Sequence, residues 1–285
     1  MNSTEIIKAS GEKAIFIKDK LIGSLRKAGA SIDLAAKIAT EMEGTLFDGI
    51  TTNEIYKIAF SKLKIISPPT AARYKLKKAI MELGDTGYPF EKFVAALLTS
   101  EGYQTQVGII VQGHCVTHEV DVIAQDDRYH FMCECKFHNR QGRNCNVKIP
   151  LYIQSRFKDV EQAWLKKMGH ATKFHQGWIF TNTRFTTDAM QYGKCIGLKL
   201  ISWDYPKSEG IKDRIERTGV HPLTCLTTLT PKEKKKLIEL DIILCMDLCK
   251  SPNMLNKVHV NKNRHQTILE EAFSVCQNSH LDKVN

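Results

Sequence analysis

Two apolar-rich runs, Val116 to Ala124 and Tyr129 to Phe137, flank the polar turn Gln125-Asp126-Asp127-Arg128, a pattern that predicts a β-hairpin. Strict alternation puts Glu119 and Asp121 on one face of the first strand and Val120 and Val122 on the other. In the second strand Glu134 and Lys136 oppose Cys133, Cys135 and Phe137. Before the hairpin, Phe90, Phe93, Val94, Leu97 and Leu98 recur at helical spacing over Pro89 to Gly102, with Glu91 beside the apolar stripe and Gly102 closing the helix. Gln104 to Val111 reads as a strand. After the hairpin the pattern predicts a helix over Arg156 to Gly169, with Val160, Ala163, Trp164 and Met168 on one side. A strand at Gly177 to Thr181, a helix near Thr187 to Cys195 and a strand at Leu198 to Trp203 follow. The predicted order is αβββαβαβ, an α/β unit.

The hairpin carries the candidate chemistry. Mg²⁺ prefers a few carboxylates together with water and phosphate oxygens, which Asp121 and Glu134 would supply across neighbouring strands. Lys136 would sit beside the ion, orienting the attacking water or meeting the charge that develops on phosphorus. Hydrolysis of a nucleic-acid backbone is the expected reaction. Charged residues on the solvated face of a hairpin explain the same pattern without chemistry.

The helix Phe90-Glu91-Lys92-Phe93, the strand Glu119-Val120-Asp121-Val122, the segment Glu134-Cys135-Lys136, and Trp178 to Thr186 followed by Ala189 together resemble the PD-(D/E)XK nuclease superfamily. Within it the similarity is to the Mrr-like type IV restriction endonucleases, over roughly 88–205. The resemblance implies a restriction-endonuclease-like αβββαβ core, Mg²⁺ as cofactor, DNA as substrate and defence against foreign DNA. It also implies that Glu91 acts through a metal-bound water and that Gln154 holds a phosphate or the lysine. Val120 stands where the superfamily has proline, and Glu134 where many Mrr-like proteins have glutamine.

Ahead of this unit, Ile6 to Phe16 reads as a short hairpin with Gly11 in its turn. Helices are predicted over Lys20 to Ala28 capped by Asp19, Ile32 to Phe47 capped by Ser31, Asn53 to Lys62 opened by Thr52, and Ala71 to Leu83 after Pro68-Pro69. Ile6-Ile7-Lys8 with Gly11, Lys18-Asp19-Lys20-Leu21, Asp48 to Ile55 and Ala71 to Leu76 resemble the ATP-cone, a regulatory nucleotide-binding domain. That resemblance implies that Lys8, Lys20 and Thr52 contact ATP or dATP. Ala9 and Ala14 depart from the family's usual basic and acidic residues. Gly84-Asp85-Thr86-Gly87 reads as a linker, and no G-x-x-x-x-G-K-[ST] loop occurs.

Beyond Tyr205 the chain changes character. Pro206 to Thr218 is charged and reads as loop. Thr230-Pro231 opens a helix through Leu240 with Lys232, Lys234, Lys235 and Lys236 in its first turns, and His265 to Cys276 reads as a further helix. Leu237 to Ile242 with Asp247-Leu248 loosely resembles a helix-hairpin-helix DNA-binding element, with Asp241 at the usual glycine position. An exposed lysine cluster on a small helical cap accounts for the same residues.

The chain has 285 residues, 42% of them hydrophobic, and a formal charge of +10, which suits a folded multidomain protein with a polyanionic partner. Nine cysteines without a CxxC pair suit free thiols in a reducing compartment. A zinc site from Cys133, Cys135, Cys145 and His138 has no familiar spacing. No cleavable leader pattern and no run of roughly 18 apolar residues is present, so a cytoplasmic protein is expected. The expected organisation is an ATP-cone at 1–84, a nuclease at 88–205 and a helical DNA-binding segment at 219–285. The expected function is that of a Mg²⁺-dependent endonuclease, with a second copy as a further partner. The competing expectation is a nucleotide-sensing DNA-binding regulator on an inert nuclease fold.

Overall fold

The computed structural model describes residues 4–8, 10–140, 142–170 and 172–277. Ala9 and the final residues of the predicted 219–285 segment lie outside them. The fold is mixed α/β.

The N-terminal strands β1 (Glu5–Ile7) and β2 (Lys13–Ile15) form the expected hairpin. Helices α1 (Lys18–Lys27) and α2 (Ile32–Glu43) follow, then β3 (Ile50–Thr51), which pairs parallel to β1. Next come α3 (Thr52–Ile66), α4 (Pro68–Tyr74) and α5 (Leu76–Met81). Two start points differ from expectation. Helix α1 begins before Asp19, and α3 is capped by Thr51, whose hydroxyl accepts from the Glu54 amide while the Glu54 carboxylate accepts from the Thr51 amide. The single helix expected over Ala71 to Leu83 is instead α4 and α5, meeting at Lys75.

The central unit opens with α6 (Tyr88–Ser100), which starts on Pro89 and stops at Gly102, whose φ is +98°. Strands β4 (Gln104–Gln112), β5 (Thr117–Gln125) and β6 (Tyr129–Lys136) form an antiparallel meander. The turn between β5 and β6 is set by Asp126, whose carboxylate accepts from the amides of Arg128 and Tyr129 at 2.8 and 2.7 Å. The chain continues through β7 (Asn144–Cys145), α7 (Lys148–Trp164), β8 (Phe174–Thr181), β9 (Arg184–Phe185), α8 (Thr187–Ile196) and β10 (Lys199–Ile201). The main sheet has the order β10-β8-β6-β5-β4, with β6 in the middle and β6, β8 and β10 parallel.

Helix α6 covers one face of this sheet, burying Phe90 and Phe93 against Val122, Cys133, Cys135 and Phe180. Helices α7 and α8 cover the other, burying Phe157, Val160 and Trp164 against Met132, Ile179 and Leu200. Each such aromatic or aliphatic side chain contributes about 1.5–3 kcal/mol on burial. Helix α7 begins well before the expected Arg156 and ends before Met168, which is 96% exposed. Ile153, Phe157, Val160 and Trp164 set its buried face, so the stripe extends N-terminally rather than C-terminally.

Strict alternation also fails in β5. Val122 lies in the α6-side core and Val120 in the α7-side core, although both have the same parity. Gly108, at φ +64°, lies opposite Asp121 in the β4 register, between the pairs Val107↔Val122 and Ile109↔Val120, and the two strands bend there.

The segment expected as loop after Pro206 contains α9 (Ile211–Thr218), because Ile211 and Ile215 bury into the α6-side core and Asp213 receives the Gly210 amide. The remaining helices are α10 (Pro231–Glu239), α11 (Cys245–Lys250), α12 (Met254–Lys257) and α13 (His265–Gln277). Packing is continuous across Gly84 to Gly87: Leu76, Ile80 and Leu83 share a core with Phe90, while Ala72 and Ala79 pack with the C-terminal helices. No helix among the described residues is long and apolar enough to cross a membrane.

Gly177 lies on β8 where α7 closes over the sheet. A Cβ there would stand 2.6 Å from Leu198 Cδ2 and 3.2 Å from Phe157 Cγ. Gly177→Ala is therefore expected to destabilise the protein by about 1–3 kcal/mol. Urea denaturation reads this as a lowered midpoint, and an unchanged midpoint would contradict the close approach of α7.

Candidate active site

The β5–β6 ladder closes at Val122↔Cys133 and then opens. The next inward amide of β6, that of Cys135, donates not to a β5 carbonyl but to the carboxylate of Asp121, at 2.7 Å. A side chain thus replaces a ladder bond, and the strands part around it. The space between them receives Glu134 and Lys136 from β6.

Glu134 is only 3% exposed. Its Oε1 lies 2.7 Å from Lys136 Nζ and its Oε2 2.7 Å from Arg156 Nη1. Arg156, on α7, also donates to the Glu119 carbonyl, tying helix, β5 and β6 at one point. Lys136 is partly exposed and not turned into the apolar interior. Burial opposes its charge, but the hydrogen bond and charge of Glu134 prevail, followed by Asp121, and hold it above its ordinary pKa.

Asp121 and Glu91 show the opposite strain. Burial, then the neighbouring Glu134 charge, pushes Asp121 up to about 6 against the Cys135 amide, Lys136 and Arg156. Glu91, in the first turn of α6, is pushed up to about 7 by burial, then by Asp121, Glu119 and Glu134, with Lys136 opposing. Both shifts are led by burial, with the like charge of neighbouring carboxylates second.

Gln154 stands on α7, and its Oε1 is buried without a hydrogen-bond partner among the described residues. Such an orphan acceptor costs about 1–3 kcal/mol. The structure therefore brings Glu91, Asp121, Glu134 and Lys136 into one electrostatic cluster and places Gln154 on the helix that supplies Arg156. Arg156 and Glu119 did not emerge as partners from sequence reasoning. The available signal was a cation next to Phe157 on the buried stripe of α7.

The cysteine and histidine expectations resolve differently. Cys133 and Cys135 face the α6-side core and Cys145 the other, so these thiols cannot share one ion. His118 bonds Asp159 at 2.7 Å, His138 bonds Thr183 at 3.0 Å, and His114 is exposed.

In the N-terminal unit, Lys8 and Thr52 follow the adjacent parallel strands β1 and β3, since Ile7 pairs with Thr51. Lys8 is engaged by Glu12 at 3.0 Å. Lys20 lies exposed in the first turns of α1, which leaves β2 at the Glu5 end of the small sheet.

A cleft of about 1280 Å³ lies apart from the acid residues. It lies between α5, the start of α6 and α10, and its lining includes Lys64, Lys75, Lys78, Lys234 and Lys235. None of Glu91, Asp121, Glu134 and Lys136 lines it, and its lysines are interspersed with Glu82, Asp85, Glu239 and Asp241. Asp241, at φ +68°, turns the chain after α10 and pairs with Lys92, the neighbour of Glu91.

Known proteins match this arrangement. A restriction endonuclease family model matches residues 85–205, and a model described as AF1548-like, C-terminal, matches 221–276. An uncharacterized protein of Archaeoglobus fulgidus is 35% identical over 183 residues, which make up 64% of this chain and 99% of that protein. A crystal structure of a protein of unknown function, AF1548, aligns at 34% identity with a TM-score of 0.54, covering 67% of this chain and 98% of that one. This chain belongs to the AF1548-like family. As an AF1548-like protein it carries the Mrr-type restriction-endonuclease domain at 85–205, a nuclease domain at the level of the family. Neither family match reaches residues 1–84.

Arg156→Met leaves the buried Glu134 carboxylate with Lys136 alone. We expect a loss of about 1.5–3 kcal/mol, the usual worth of a hydrogen bond to a charged group. A chemical-denaturation midpoint equal to that of the wild type would mean that the pair does not hold α7 to the sheet.

Proposed function

We propose that this AF1548-like protein is a Mg²⁺-dependent DNA endonuclease of restriction type. The observation that carries the reading is the opened β5–β6 edge, where Asp121 spends its carboxylate on the Cys135 amide and shares a pocket with Glu134, Lys136 and Glu91. The donor set fits the ion: all the candidate ligands are carboxylate oxygens, the choice of a hard cation, and a dication relieves the repulsion that strains Asp121 and Glu91. Asp121 and Glu134 would hold it. When bound, Mg²⁺ supplies positive charge for the phosphate oxygens and lowers the pKa of its water.

The chain's own groups do the rest. Lys136, released from Glu134, orients the attacking water and meets the charge that builds on phosphorus. Glu91, in the first turn of α6, would accept a hydrogen bond from water held at the site. The unpaired Gln154 oxygen suits the lysine ammonium, and its amide nitrogen suits a phosphate oxygen. A +10 chain suits a polyanion. The nine free thiols suit the cytoplasm.

The proposal extends to the flanking units. Residues 1–84 act as an ATP-cone in which Lys8, Lys20 and Thr52 take ATP or dATP and tune the nuclease at 88–205, in a homo-oligomer. Residues 219–285 add a DNA-binding surface through the turn at Asp241. A second reading, a nucleotide-sensing regulator on an inert fold, is favoured by one observation: both Glu134 oxygens are already held by Lys136 and Arg156.

Supercoiled plasmid separates the two. Nicking in Mg²⁺ is expected, abolished by EDTA and reduced about 100-fold or more by Lys136→Ala. ATP should change the rate, and Lys20→Ala should remove that change. No cleavage in any arm favours the regulator, and cleavage that survives Lys136→Ala removes the assigned site.

A further inference from the structure

We propose that His130, His170 and His175 form a second metal site, separate from the acid pocket, that takes one borderline transition-metal ion of the Zn²⁺ class. The three side chains come from β6, the loop after α7, and β8, and one ligand nitrogen from each lies within 4.8 Å of the others. His130 Nδ1 and His175 Nδ1 stand 3.3 Å apart. A tetrahedral ion with Zn–N bonds of about 2.0–2.1 Å has ligand edges of roughly 3.3–3.4 Å, so this separation needs no rearrangement to be spanned.

The surroundings prepare the ligands. His175 Nε2 lies 3.1 Å from the His170 carbonyl oxygen, which fixes the proton on Nε2 and leaves Nδ1 with its lone pair towards the cluster. His170 Nδ1 is buried and bonded to nothing among the described residues. Trp164 packs against His130 with ring centroids 3.9 Å apart. Lys167 and Lys173 bring positive charge near the cluster. Lys173 is itself drawn away by the Asp126 carbonyl at 2.8 Å.

Three imidazole nitrogens without a carboxylate do not suit Mg²⁺, which demands oxygen, but they match the three-histidine set that zinc accepts with water in the fourth position. A cleft of about 620 Å³, lined by His130, His170, Trp164 and Gln106 among others, gives that water and the ion a route in. His130 shares β6 with Glu134 but lies roughly 13 Å along the strand from it, at about 3.3 Å per residue, so the two centres do not share ligands. The ion would staple the loop after α7 to the sheet.

The test uses the untagged full chain, stripped with chelator and titrated with Zn²⁺ and Co²⁺. One equivalent of each is expected, with the intense visible absorption of tetrahedral Co²⁺, no thiolate-to-metal charge-transfer band and a raised melting temperature. His170→Ala and His170→Gln, checked for native circular dichroism, should lose the absorption and the stabilisation. Asp121→Asn should keep both, which distinguishes this site from the acid pocket. The proposal is overturned if the wild type takes up no ion, if the His170 variants bind as it does, if a thiolate band appears, or if Asp121→Asn abolishes binding.

Discussion

A carboxylate buried on the middle strand of a sheet has to be answered by charge, and Glu134 is answered twice. Lys136 takes one oxygen and Arg156 the other, both at 2.7 Å. Burying an uncompensated charge costs several kcal/mol, so this arrangement ties the position of α7 to that of β6. Because Arg156 also reaches the Glu119 carbonyl, β5 is tied to the same point. The opening of the hairpin at Asp121 is the complement of that clamp. There the Cys135 amide is bonded by a side chain, so no buried donor is lost although the ladder ends.

The same region is under electrostatic tension. Glu91, Glu119, Asp121 and Glu134 share a neighbourhood with two cations, and burial first, then the like charges, raises Asp121 and Glu91.

The flanking units are joined to this centre through α4 and α5. Ala71 packs in the N-terminal core, Ala72 and Ala79 in the C-terminal one, and Leu76, Ile80 and Leu83 against α6. The Arg73 guanidinium donates to the Ser274 carbonyl at 2.7 Å and the Thr224 hydroxyl to the Ala79 carbonyl at 2.6 Å. Two short helices thereby touch three of the four groups of buried side chains, a direct physical route by which an event in one unit could bias another.

The chain alone determined most of the central elements, because a buried face imposes a period that survives in the pattern of residues. Phe90, Phe93, Val94, Leu97 and Leu98 mark α6, the polar turn at Asp126 marks the hairpin, and Thr230-Pro231 marks α10. The identity of Asp121, Glu134 and Lys136 as a chemically related set was also legible, since their strands are adjacent in sequence. Only the tertiary structure decided what lies across from them. Arg156 meets Glu134 through packing of Phe157 and Val160, and the two valines of β5 part company at a bend that Gly108 permits. His130, His170 and His175 converge from three elements with no spacing to announce them. Local periodicity reports which side of an element is buried, whereas contacts between distant elements depend on how those faces are brought together.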